Sequence, residues 1–166
     1  MDAEKLRALQ APLKQRFRED AASALVTLKA HGRLGEGVAC SIDTGRALVE
    51  AGLHPATGGN GMQACSGDML LQALVACAGV TLSAVATSMG LALRGGELRA
   101  EGDLDFRGTL GVSREAPVGF RAIRLGITLD TDATDEQRRK LLELTERYCV
   151  VYQTLRSSPA VEVRLT

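Results

Sequence analysis

The sequence predicts one α+β domain, and three features carry that expectation. Residues 66–89 repeat apolar side chains at helical spacing around most of the circumference. Residues 97–107 and 120–130 instead alternate apolar and polar side chains with the period of a strand. The 166 residues, 45% hydrophobic and 24% charged, are enough for one domain with its own core.

Within residues 1–20, Leu6, Leu9, Leu13 and Phe17 recur at helical spacing, and Pro12 is expected to kink or restart that helix. Ala24-Leu25-Val26-Thr27-Leu28-Lys29-Ala30 reads as a strand, followed by the turn-rich His31-Gly32-Arg33-Leu34-Gly35-Glu36-Gly37. Residues 38–42 and 47–50 read as short strands of a meander. Pro55 and the run Gly58-Gly59-Asn60-Gly61 mark residues 52–61 as a loop. In the helix that follows, Leu70, Leu74, Cys77, Thr81 and Val85 form one stripe, widened by Leu71, Val75, Ala78 and Leu82, and Gly90 stops it. After the two alternating segments, Thr134-Asp135-Glu136-Gln137 is a capping box that opens another helix. Its pattern breaks at Tyr148-Cys149-Val150-Val151, where Tyr148 reads as core packing. Ser157-Ser158-Pro159 then ends any helix before a closing strand, Val161-Glu162-Val163-Arg164-Leu165.

Composition excludes several function classes. Twenty basic residues balance twenty acidic ones, aromatics are 3%, and there is no Trp, so neither a nucleic-acid footprint nor a base-stacking platform is expected. Charges at Asp2, Glu4, Lys5 and Arg7 argue against a signal peptide. The apolar stretch 69–85, interrupted by Gln72, Gly79, Thr81 and Ser83, reads as short of a membrane span. A cytoplasmic protein with reduced thiols is the expectation, with no membrane and no nucleic acid among its partners.

Cys40, Cys65, Cys77 and Cys149 contain no close pair, and only His31 and His54 could join them, so no metal site is expected. Gly58–Gly61 lacks the lysine and the spacing of a phosphate-binding loop, and no cofactor motif appears elsewhere. Cys65 and Cys77 lie twelve residues apart, mostly along one helix. That separation is roughly 18 Å at helical rise, against a disulfide limit of roughly 7 Å. Cys77 and Cys149 sit on different elements and can meet, although a cysteine in such a helix is often just a small core hydrophobe.

Asp68-Met69-Leu70-Leu71-Gln72-Ala73-Leu74-Val75-Ala76-Cys77-Ala78-Gly79-Val80-Thr81-Leu82 resembles the central helix of OsmC/Ohr proteins. Cys149-Val150-Val151-Tyr152-Gln153-Thr154-Leu155 resembles the family's second-cysteine segment, and Gly32-Arg33-x-Gly35 its early arginine motif. Gly58-Gly59, Pro117-x-Gly119-Phe120 and the closing strand after Pro159 fit the same order. The resemblance runs from about Leu25 to Leu165, so the chain divides into a helical extension, 1–20, and an OsmC-like domain, 21–166.

It implies antiparallel sheets around long central helices in an intertwined homodimer, with active sites at the subunit interface. It also implies a thiol peroxidase for organic hydroperoxides that needs no bound cofactor. Cys77 attacks the peroxide, Cys149 resolves the sulfenic acid as a disulfide, and an external dithiol reductant, lipoyl-linked in the best-known branch, restores both. Arg33 is then the cation for the thiolate, with Asp68 in the activating network. Backbone N–H groups at a helix start assist Cys149. Two positions depart from the pattern. Gly67 stands where the reductase branch has a glutamate ten residues before the first cysteine, and Val150 stands where proline usually follows the second. A non-peroxidase relative, a redox-sensing or small-ligand-binding dimer, is the alternative. Asp68 also reads as an ordinary helix-start acid, Arg33 as a solvated turn residue, and Cys40 and Cys65 as structural.

Overall fold

The computed structural model describes residues 3–34, 40–42, 52–62 and 64–165. The expected strand at 47–50, residues 38 and 39, and Gly35 of the arginine motif lie outside them.

The chain opens with helix Ala3–Glu19 (α1), which runs through Pro12. Pro12 is exposed, so the one backbone bond its ring removes costs the helix no buried contact. Phe17 leaves α1 to become one of the most buried side chains of the core. After a short 3₁₀ turn, Leu25–Leu34 (β1) pairs antiparallel with Cys40–Ile42 (β2) on one side and Gly95–Asp105 (β3) on the other. Ala122–Asp130 (β4) completes the sheet in the order β2-β1-β3-β4. β1 therefore absorbs His31 to Leu34, expected as a turn. Gly32 is opposed by Ile42 and by Leu98, and pairing on both edges overrides the local turn preference.

Ser66–Ser88 (α2) lies across this sheet. Leu71, Leu74, Val75 and Ala78 pack against Leu98, Ala100 and Leu104, all nearly inaccessible. Each large apolar side chain so buried contributes about 1.5–3 kcal/mol. By length and hydropathy α2 does reach the size of a membrane span, contrary to the sequence reading, but half of that window is buried inside this fold. The opposite face of the sheet is charged, with Arg124 bridging Asp103 at 2.6 Å and Arg99 bridging Glu97 at 3.2 Å.

A short turn, Phe106–Thr109 (α3), follows β3. Thr134 then caps Asp135–Tyr148 (α4) with both arms of the capping box, at 3.2 and 2.8 Å. Leu141 joins Leu82, Val85 and Ala86 of α2 in a second apolar cluster. Cys149, extended at φ −72° and ψ 107°, separates α4 from Val150–Arg156 (α5). Tyr148, expected in the core, is 56% exposed with the Arg147 guanidinium over its ring.

Among the described residues the closing segment forms no strand: 158–165 pair with none of β1–β4, and Val161, Val163 and Leu165 stand at least 81% exposed.

Among the described residues Asp105 is the one buried carboxylate, 1% exposed and held by Arg107 through its backbone N–H and its guanidinium. The hydrogen bonds from Arg107 lower its pKa below the usual carboxylate value despite burial. A depressed folded-state pKa means that this stabilisation is present above the unfolded pKa and lost as pH falls through the folded one. Asp105→Ala should cost about 2 kcal/mol at neutral pH, because the Arg107 backbone N–H and guanidinium lose their charged acceptor. Urea denaturation at neutral and acid pH checks this, with the gap between variant and wild type narrowing in acid.

Candidate functional site

Two elements bring the two central cysteines together. Cys77 sits mid-way along α2, half-buried beside the core. α5 packs on α2, and because Cys149 interrupts the helix just before α5, its thiol and the first N–H groups of α5 face the Cys77 sulfur. Cys149 is 1% exposed and acts as the N-cap of α5, with the Tyr152 N–H donating to its Sγ at 3.5 Å. Sulfur here fills the place usually taken by a serine, threonine or aspartate oxygen.

The two thiols have opposite electrostatics. Burial is the largest single influence on Cys77 and opposes its ionisation. Hydrogen bonding from the Val151 N–H, the Cys149 thiol, the Thr81 hydroxyl and the Val150 N–H together outweighs it, so the Cys77 pKa lies below the ordinary thiol value. Burial pushes Cys149 up to about 11; its own hydrogen bond to Cys77 and the charge there add to the rise, against the Tyr152 N–H. The helix-start donors expected to assist Cys149 thus serve Cys77 as well, and Cys77 is the thiol that ionises.

Arg33 and Asp68 are not brought to this pair within one chain. Arg33 lies opposite Glu97 on the charged face of the sheet, 73% exposed, with its Nε 3.9 Å from the Glu97 carboxylate. The neighbouring pair Gly32–Leu98 faces α2, so strand alternation puts Arg33 on the far side of the sheet from Cys77. Asp68 precedes Cys77 by nine residues, which is about half a turn out of phase on α2. Burial raises its pKa, and His54, stacked on Phe106, is the group that opposes the rise. Cys65 is a free thiol at the N-cap of α2 and makes no side-chain capping bond.

Sequence reasoning missed Thr81 and the Val150 and Val151 amides as partners of Cys77. Thr81 was visible as the residue one turn beyond the cysteine; the amides depend on where α5 begins. α2, β4 and α5 border an open cleft of about 420 Å³, which neither thiol lines. Leu74, Phe120, Ile123 and Tyr152 give it an apolar wall, and Arg121 and Arg156 also line it. Gly102 makes room for one wall, since a Cβ there would come within 2.4 Å of the Phe120 ring. Among the described residues no cluster of three His, Cys, Asp or Glu is placed to hold a metal. The arrangement can ionise one thiol and join it to a second.

The family model described as OsmC-like protein matches residues 58–164, which include both cysteines. The structure resembles that of an OsmC-like hydroperoxide resistance protein from Jannaschia sp. CCS1, with a TM-score of 0.60 at 16% identity, covering 86% of this chain and 94% of that one. It also resembles an OsmC-like protein from Mycoplasma pneumoniae, with a TM-score of 0.57 at 13% identity, covering 81% and 86%. Likeness at such identity shows the fold alone. No curated protein matches the sequence.

Proposed function

The chain belongs to the OsmC-like protein family, and from that premise we propose that it is a two-cysteine thiol peroxidase acting on organic hydroperoxides. The observation that carries the reading is the Cys77–Cys149 contact, in which one thiol is favoured as thiolate and its neighbour is held protonated. The Cys77 thiolate attacks the terminal peroxide oxygen. The O–O bond breaks, the alkoxide leaves and takes a proton as the alcohol, and Cys77 becomes a sulfenic acid, oxidised by two electrons. Its negative charge is then gone, which removes the repulsion that helped keep Cys149 protonated. Cys149 ionises and attacks the Cys77 sulfur, the S–O bond breaks, and hydroxide leaves as water. An external dithiol, lipoyl-linked or otherwise, reduces the disulfide. A reducing compartment such as the cytoplasm suits this cycle.

The alternative, a redox-sensing dimer oxidised without efficient turnover, is favoured by the position of Arg33, on the far face of the sheet from Cys77. Sustained peroxide consumption with dithiol present separates the two readings.

Mild oxidation by an organic hydroperoxide should give a single disulfide, Cys77–Cys149, seen by peptide mass spectrometry. Cys149→Ser should let Cys77 pass to the sulfinic or sulfonic state, and Cys77→Ser should abolish consumption. Any other pairing, or a reduced Cys77 while peroxide is consumed, would contradict the mechanism.

The proposal includes a homodimer. α2 leaves an apolar stripe uncovered, with Met69, Leu70 and Val80 between 37% and 41% exposed, and Cys77 lies along the same side. Light scattering should give about twice the 17.6 kDa chain mass, and Val80→Asp should shift it toward the monomer by placing a charge in the interface. A mass that stays monomeric for the wild type at all concentrations would remove the dimer.

A further inference from the structure

We propose that the cleft bordered by α2, β4 and α5 is a binding site for an apolar monocarboxylate, that is, a carboxylate on an alkyl or aryl body. The site is apart from the thiol pair, since neither Cys77 nor Cys149 lines it, and it stands whether or not the chain consumes peroxide. At about 420 Å³ the cleft falls within the roughly 300–1,000 Å³ of small-molecule sites.

The lining divides into an apolar wall and a set of donors. Leu74 of α2 is buried, while Phe120, Ile123, Leu125 and Leu155 are each half-buried, so the wall keeps apolar surface that a ligand can cover. The polar side chains are Arg121, just before β4, Arg156, in the last turn of α5, and Tyr152. The Arg156 guanidinium donates to the Tyr152 hydroxyl at 3.4 Å. A guanidinium has N–H donors and no acceptor, and a tyrosine hydroxyl that accepts from one still has its own proton to give. Every polar side chain of the cleft therefore offers a donor, and two of the three carry positive charge. A ligand that satisfies them brings acceptors and negative charge at one end. A planar carboxylate matches the guanidinium fork, and the wall takes the apolar remainder.

The charges around the cleft leave both guanidiniums to a ligand. Asp103 and Asp105 feel the charge of Arg121, but each has a closer cation. Arg124 bridges Asp103 at 2.6 Å, and the Thr27 hydroxyl donates to the same carboxylate at 2.7 Å. Arg107 holds Asp105 through its Nε at 3.0 Å. Among the described residues the partner of the Arg156 guanidinium is the neutral Tyr152 hydroxyl. One arginine comes from the sheet side and the other from the helix side, and they line the same apolar wall. Two exposed cations on one open surface repel each other, and an anion between them relieves that repulsion.

The test is isothermal titration calorimetry of the full chain at neutral pH with decanoate, decanol and decyltrimethylammonium, which share an alkyl body and differ in the head. Decanoate should bind once per chain and about tenfold more tightly than decanol, with the cation weaker than both. Arg121→Gln and Arg156→Gln change exposed side chains outside the core. Each should weaken decanoate by about tenfold and leave decanol within about twofold of wild type. Cys77→Ser should bind decanoate as wild type does. Decanol binding as tightly as decanoate, or decanoate affinity unchanged in both arginine variants, would overturn the assignment. So would the absence of binding at millimolar decanoate, the result expected if a second copy of the chain covers the cleft. Loss of decanoate binding in Cys77→Ser would put the ligand at the thiols and overturn the separate site. No peroxide enters the assay, so a protein that binds decanoate and fails to consume peroxide keeps the cleft and removes only the peroxidase reading.

Discussion

The packing of a broken helix against an unbroken one governs the site. α4 and α5 would form a single long helix were it not for Cys149, whose extended backbone frees the first N–H groups of α5. α2 contributes the opposing surface and is fixed by its own burial, with Leu71, Leu74 and Val75 seated on the sheet. Because both cysteines are attached to these elements, their contact is a consequence of core packing and needs no separate device.

The same geometry divides labour between two chemically identical groups. Cys77 receives donors from its own helix and from the start of α5; Cys149 is sealed in the core, and its proton is shared toward its neighbour. Burial acts on both and hydrogen bonding is what distinguishes them. The order of ionisation follows, and with it the order of attack and resolution in the proposed cycle.

Much of this architecture was legible in the sequence. The α2 stripe and its stop at Gly90 predicted a buried helix of nearly the observed length, and Thr134 with Gln137 placed the start of α4 at the observed cap. The thiol pair was legible through the order of segments around Cys77 and Cys149. Arg33 shows where such reading ends. Strand parity puts Thr27, His31 and Arg33 on the face away from α2, but that follows only once β1 is known to continue through His31 and Gly32, and those residues looked like a turn. Asp68 was misaligned for a different reason, since its helical phase relative to Cys77 outweighs its nearness in sequence. The amides of Val150 and Val151 were not legible at all, because backbone donors carry no side-chain signature.

The central claim is that contact with Cys149 and the start of α5 makes Cys77 the ionising thiol. Thiolate ultraviolet absorbance, titrated in wild type and in Cys77→Ser, tests it directly. The difference between the two proteins should contain a thiolate forming below the ordinary thiol value. Cys149 should titrate near 11 in wild type and at lower pH in Cys77→Ser, where the neighbouring charge is gone. A Cys77 that ionises at or above the ordinary value, or a Cys149 whose titration ignores the substitution, would contradict the account.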